Sequence, residues 1–169
     1  VPLWLANQIM EDNYFVTHEE TGEIYYYEDG IYKPKAKHKI QEICQKRLGK
    51  FARVHYINET LEAIKRLTFT PRERFGNPKD CIAVKNGLLN VKTEELKDFA
   101  PEYVHLTKIN AKYNPDVDCP KIKKFVSELV NDEDVKIIQE MFGYCLIKDY
   151  PLAKAFMLLG SGANGKSTL

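Results

Sequence analysis

The stretch that decides the predicted fold class is Ala155-Phe156-Met157-Leu158-Leu159-Gly160-Ser161-Gly162-Ala163-Asn164-Gly165-Lys166-Ser167-Thr168-Leu169. Its first five residues form an uninterrupted apolar run, which is typical of a strand buried on both faces of a parallel sheet. Residues 160–167 then match the spacing G-x-x-x-x-G-K-[ST]. A buried strand that enters such a glycine-rich loop predicts the start of an α/β nucleotide-binding core.

The residue types of this loop, a Walker A pattern, fit a phosphate-binding role. Glycines let successive backbone N–H groups point at a phosphate, and the helix expected to follow would add its own free N–H groups. Lys166 is the predicted catalytic residue, because it would neutralise the β- and γ-phosphate oxygens, and Ser167 would offer its hydroxyl to Mg²⁺. The predicted nucleotide-binding residues are Gly160, Ser161, Gly162, Ala163, Asn164, Gly165, Lys166, Ser167 and Thr168. The alternative is a Gly/Ser-rich turn with a stray lysine.

The sequence reaches only two residues past Ser167, and it holds no later acidic strand of the Walker B type and no arginine finger. Those parts hold Mg²⁺ and stabilise the transition state in P-loop ATPases. We therefore expect that this chain is the front part of a larger ATPase and that it hydrolyses no nucleotide alone.

The net charge of +1 over 169 residues hides an uneven distribution along the chain. Residues 1–29 hold seven acids and no lysine or arginine, whereas residues 30–79 hold 13 basic residues against four acids. The last block, residues 80–169, is nearly balanced. The middle block is therefore the candidate polyanion-binding surface.

Composition excludes several classes of protein. With 44% hydrophobic and 29% charged residues, the chain can bury a core, but no apolar run approaches the length of a membrane span. The first residues lack the pattern of a secretory signal. The four cysteines have no C-x-x-C spacing, which disfavours a zinc site or a disulfide framework and indicates an intracellular, cytoplasmic setting.

Local patterns predict an α+β N-terminal region. Aromatic runs around Asp29-Gly30 predict a hairpin, and Asn86-Gly87 predicts another with a type I′ turn. Apolar spacing predicts one helix that ends at Gly49 and a second that starts with Asn58 as N-cap and ends before Pro71. Two further helices are expected, one that begins near Pro120 and one with Asp132 as its N-cap. A short strand is expected near residues 96–99.

These elements suggest three segments. Residues 1–80 would form an α+β domain with basic helices, residues 81–119 a β-hairpin or meander, and residues 120–169 a helical connector with the first strand and loop of the ATPase core. Two helices followed by a hairpin also permit a winged-helix-like arrangement.

The basic block predicts DNA contact, with Lys35, Lys37, Arg47, Lys50 and Arg53 as candidate residues. The alternative is an ordinary solvated face on two helices. Tyrosines such as Tyr25, Tyr26 and Tyr27 could stack on single-stranded bases, but alternate rings of a strand are more often core. The four histidines are scattered singly, which disfavours a metal or catalytic site.

The stretch from Lys154 through Thr168 resembles the Walker A of superfamily 3 helicases, with Asn164 before Gly165-Lys166 as the distinguishing detail. More narrowly, it is similar to phage- and plasmid-type primase–helicases, relatives of the poxvirus primase–helicase. Upstream segments support the resemblance more diffusely: residues 21–32, residues 84–90, Cys119-Pro120 and Gly143-Tyr144.

The resemblance implies an AAA+-like core, ATP and Mg²⁺ as cofactors, DNA as partner, assembly into a ring, expected to be a hexamer, and a role in replication of a mobile element or virus. Lys166 would then serve turnover in the complete protein. Two rivals remain: a non-enzymatic DNA-binding or protein-docking module, and a P-loop kinase acting on a small molecule.

Overall fold

A computed structural model describes residues 1–149, 151–160, 162 and 165 of the chain. The chain packs as two compact units, residues 1–112 and residues 113–169. Within the described part, the first unit holds three α-helices and two four-stranded sheets, and the second holds two α-helices. The predicted α+β character is confirmed.

The first sheet has the order β3-β2-β1-β4, with β1 at Phe15–His18, β2 at Ile24–Glu28, β3 at Ile31–Lys33 and β4 at Phe69–Thr70. Neighbours are antiparallel except β1 and β4, which are parallel. The predicted Asp29-Gly30 hairpin is confirmed, because Glu28 pairs with Ile31 and both turn residues have positive φ, 54° and 82°. Two positive φ angles are what a type I′ turn requires.

The tyrosines of β2 contribute to the core on both faces of the sheet, so the core interpretation is confirmed. Tyr26 packs against the main cluster, while Tyr25 and Tyr27 pack against a second cluster with Val16, Tyr32 and Val104. The alternation follows from the two-residue period of a strand.

Three helices cover the main cluster: α1 (Pro2–Asp12), α2 (Ala36–Leu48) and α3 (Val54–Leu67). Its buried residues are Leu5, Ala6, Ile9, Phe15, Ile24, Ala36, Ile40, Cys44, Leu61, Ala63 and Ile64. Helix α1 was not predicted, since its apolar residues run together at the start of the chain without a clean helical period.

The boundaries of α2 and α3 test the sequence signals directly. Gly49 follows α2 as its C-cap with φ 52°, as predicted. The predicted start of α3 at Asn58 is wrong, because the helix begins at Val54 with Arg53 as N-cap. The Ile57 amide already donates to the Arg53 carbonyl at 3.1 Å, and Ile57 packs on the core, which favours the additional turn.

The second sheet has the order β7-β6-β5-β8, with β5 at Cys81–Val84, β6 at Gly87–Asn90, β7 at Leu96–Lys97 and β8 at Lys108–Ile109. The predicted second hairpin and the short strand are confirmed. The predicted type I′ turn at Asn86-Gly87 is wrong. Val84 pairs with Gly87, so the loop residues are Lys85 and Asn86, and neither of them has the positive φ that this turn type requires. A Cβ at Gly87 would lie 2.4 Å from the Lys97 carbonyl oxygen, so close strand approach explains this glycine.

This hairpin is not a two-stranded wing. Both of its outer edges carry backbone partners, β7 on one side and β8 on the other, so it forms the centre of its own sheet. Helices α2 and α3 instead contact β2 and β1 of the first sheet. The winged-helix-like expectation is therefore wrong for the described residues.

The second unit contains α4 (Pro120–Leu129) and α5 (Asp132–Cys145). Cys119 is the N-cap of α4. The N-cap of α5 is Asn131 rather than the predicted Asp132, which is the first residue of the helix. The first turn of α5 instead holds three acids, which suit the positive end of the helix dipole. Val126 and Ile138 are the buried apolar residues of the two helices.

The expected buried strand at residues 155–159 is wrong. These residues have no strand assignment, and Met157 and Leu159 are more than four-fifths exposed. A strand buried on both faces needs hydrogen-bonding neighbours on both edges, and no described residue pairs with this segment.

No helix in the described ranges is both long enough and apolar enough to cross a lipid bilayer.

Candidate nucleic-acid interface

The basic block of the sequence folds mainly into α2, the 3₁₀ helix Gly49–Phe51 and α3. Among the described residues, carboxylates pair with several of its cations, including Lys33 with Glu28 and Asp29, Lys39 with Glu28, Lys46 with Glu42, Arg47 with Asp12, and Arg72 with Glu20. A paired cation adds little net charge to the surface. The positive potential therefore comes mainly from the cations outside these pairs.

One group of cations lies at an open groove between the start of α2 and the end of α3. Lys35, Lys37 and Lys65 line this groove, whose volume is about 300 Å³. Its other lining residues are Gly22, Glu23, Ile24, Leu61 and Glu62. We call Lys35, Lys37 and Lys65 the lysine groove.

The carboxylate of Glu23 in this groove accepts a hydrogen bond from a neighbouring tyrosine. The Tyr25 hydroxyl donates to Glu23 Oε2 at 2.8 Å. Burial, followed by this hydrogen bond, raises the pKa of Tyr25 to about 12, so the phenol remains a donor. The hydrogen bond from the neutral phenol leaves the carboxylate charged, so the groove holds three lysines against two acids, Glu23 and Glu62.

A second group lies at the turn that joins α2 to α3, residues 49–54, which we call the α2–α3 knuckle. Lys50 Nζ lies 5.2 Å from the centroid of the Phe51 ring. Arg53 Nη1 donates to the carbonyl oxygens of Ala52 at 3.0 Å and Lys50 at 3.3 Å. Phe51 and Val54 are 66% and 75% exposed. The knuckle therefore presents two cations around exposed apolar side chains.

The predicted DNA-contacting residues fall into these two groups. Lys35 and Lys37 lie at the lysine groove, whereas Arg47, Lys50 and Arg53 lie at or next to the knuckle. The 13 residues of α2 separate the groups, a length of about 20 Å. Arg47 differs from the other four residues, because its guanidinium is bound to Asp12 of α1.

Phe51 and Val54 are not among the residues that the sequence predicted for DNA contact. A signal was present: residues 43–58 hold four lysines and arginines, no acid, and an aromatic residue between the cations. What the sequence does not show is that this ring faces solvent.

The predicted nucleotide-binding loop falls largely outside the described residues. Ser161, Ala163, Asn164, Lys166, Ser167 and Thr168 are among those outside, so the Mg²⁺ and catalytic predictions stay predictions. Gly160, Gly162 and Gly165 are described, and Gly162 and Gly165 have φ of 104° and 77°. A Cβ on Gly165 would lie 2.5 Å from the Leu129 side chain.

The described residues contain no group of three or more His, Cys, Asp or Glu side chains that could hold a metal ion. The four cysteines are free thiols, and Cys44 is buried in the main cluster. Burial raises the pKa of the Cys44 thiol, which makes it a core residue rather than a nucleophile.

Comparison with protein-family models finds one match that covers most of the chain. Residues 3–131 match the family described as D5 N terminal like. A search of curated proteins gives no match.

Proposed function

Because the chain belongs to the D5 N terminal like family, the N-terminal domain of D5-like primase–helicases, we propose that it is the DNA-contacting part of a replicative helicase. The complete protein would be a superfamily 3 enzyme of a phage, plasmid or virus that uses ATP hydrolysis to separate DNA strands. The match over residues 3–131 carries this proposal.

DNA contact is assigned to the α2–α3 surface. Lys35, Lys37 and Lys65 converge at one groove, and Lys50 and Arg53 lie on the knuckle. Cations on one helical hairpin can neutralise successive phosphates of a DNA strand, with affinity that arises from counterion release. Arg47 would join them only by exchanging Asp12 for a phosphate.

Nucleotide binding is assigned to residues 160–168 in the complete protein. Lys166 would bind the β- and γ-phosphates of ATP, and Ser167 would bind Mg²⁺. Assembly into a hexameric ring and an intracellular location belong to the same proposal.

Charge reversal tests the DNA contact. We expect Lys35→Glu/Lys37→Glu and Lys50→Glu/Arg53→Glu each to weaken DNA binding at least about tenfold in fluorescence anisotropy, since each removes two phosphate contacts. The control is Lys92→Glu/Lys97→Glu, which makes the same change of formal charge at two lysines that pair with Asp80 and Glu95. It should bind as the unsubstituted chain does. Equal affinities for all three double variants would refute the assigned surface.

Lys166→Ala in a longer protein that carries this chain tests the nucleotide site. We expect ATP turnover to be abolished while DNA binding is kept. The rival, a non-enzymatic DNA-binding or protein-docking module, predicts that the longer protein has no DNA-stimulated ATPase at all.

A further inference from the structure

The exposed ring of Phe51 is the feature of the knuckle that simple phosphate binding leaves unexplained. Two-thirds of this side chain is exposed. The turn that presents it is internally bonded, because the Ala52 amide donates to the Gly49 carbonyl at 3.1 Å and Arg53 binds the Ala52 carbonyl. A ring presented by an ordered turn loses little conformational freedom when it binds a partner.

The positive charge beside the Phe51 ring indicates what kind of molecule could bind there. Residues 43–58 contain no acid, and in the part of the chain that the structure describes neither Lys50 nor Arg53 pairs with a carboxylate. An exposed aromatic ring beside two cations that no described carboxylate neutralises is complementary to a base with its phosphates. It is much less complementary to an uncharged apolar partner.

Trp4 shows that exposure alone does not make such a site. Its side chain is 64% exposed on α1, close to the value for Phe51. The segment that contains it, residues 1–29, carries seven acids and no lysine or arginine, so this segment supplies no cation beside the ring to bind a phosphate. Trp4 is therefore the matched control for Phe51.

We propose that Phe51 is a stacking platform for an unpaired base of single-stranded DNA, with Lys50 and Arg53 binding the adjoining phosphates. The inference rests on the proposed DNA contact and specifies the form of DNA that the knuckle selects. In a duplex, both faces of an internal base are covered by its neighbours, so only an unpaired base can stack on the ring.

The test compares three oligonucleotide ligands of one sequence: the single strand, its duplex, and the single strand with abasic sites. Fluorescence anisotropy with the 169-residue chain measures each affinity. We expect Phe51→Ala to weaken single-strand binding about tenfold and to leave duplex binding within about twofold. Abasic sites should weaken binding by the unsubstituted chain and not by Phe51→Ala. Phe51→Trp should restore affinity, and Trp4→Ala should change nothing.

Three results would overturn the inference, and they separate it from the proposed function. If Phe51→Ala binds the single strand normally while Lys50→Glu/Arg53→Glu does not, stacking is refuted and the phosphate contact stands. If the unsubstituted chain binds neither single strand nor duplex, both fall. If Phe51→Ala alters the sedimenting mass and leaves DNA affinity unchanged, the ring joins copies of the chain instead.

Discussion

Gly30 affects the packing of a residue that is distant from it in the sequence, Phe99. It occupies the second turn position between β2 and β3 with φ 82°. A Cβ there would lie 2.2 Å from the Phe99 ring, well inside contact distance. The glycine therefore permits both the turn and the close approach of Phe99.

Gly30→Ala should be strongly destabilising because it adds steric overlap to backbone strain. We expect a loss of about 2–4 kcal/mol in the free energy of unfolding, measured by urea denaturation. Gly76→Ala is the control, since Gly76 has a similar φ of 74° and open space around its Cβ position. It should lose only about 1 kcal/mol; equal losses would show that Phe99 is not the obstacle.

Asp29, the first residue of the same turn, gives the hairpin a pH dependence. A hydrogen bond from Lys33, and then its charge, hold the pKa of Asp29 below its ordinary value. A carboxyl whose pKa is lowered by folding stabilises the protein above its unfolded pKa of about 3.9, and that contribution disappears as pH falls through the folded value.

Asp29→Asn should remove this dependence while tolerating the positive φ, since asparagine adopts left-handed conformations readily. We expect the unsubstituted chain to melt higher than the variant at pH 7 and the two to converge as pH falls through the lowered pKa of Asp29. Parallel melting curves over pH 2–7 would mean that the Lys33 contact does not stabilise the turn.

At the scale of elements, α1 is held by a few buried side chains. Leu5 is 1% exposed and belongs to the main cluster, whereas Leu3, two residues earlier on the same helix, is 58% exposed. Leu5→Ala should cost about 2–4 kcal/mol in unfolding free energy because it leaves a cavity. Leu3→Ala should stay within about 0.5 kcal/mol. Similar values for the two variants would place α1 outside the cooperative core.

Elements with local signals were predictable from the sequence. Asp29-Gly30 and Asn86-Gly87 marked both hairpins, and apolar spacing marked α2 and α4. The two-residue strands β4 and β8 were not predictable, because each exists only through a parallel partner distant in sequence. The apolar run at 155–159 predicted a buried strand that is absent from the described residues. An apolar sequence favours a buried strand, but it does not supply the neighbouring strands with which that strand must pair.

The candidate interface was predictable in its charge and not in its geometry. The excess of lysine and arginine over residues 30–79 identified the surface. Pairing of Arg47 with Asp12 joins residues 35 positions apart, and no local pattern reveals it. Exposure of Phe51 depends on how the turn between α2 and α3 is packed, which is also a tertiary property.

At the scale of the whole molecule, acidic and basic segments are separated along the chain. Paired carboxylates neutralise part of the basic block, and the cations of the lysine groove and the knuckle are among those that they leave. We propose that these remaining cations bind DNA phosphates.

The salt dependence of single-strand binding tests that claim most directly. Affinity of the unsubstituted chain should fall linearly with salt on a log–log plot, and the slope of Lys50→Ala/Arg53→Ala should be shallower by about 1.4, roughly 0.7 for each lost phosphate contact. Lys92→Ala/Lys97→Ala should keep the original slope. A common slope for all three proteins, or an affinity that does not respond to salt, would contradict the account.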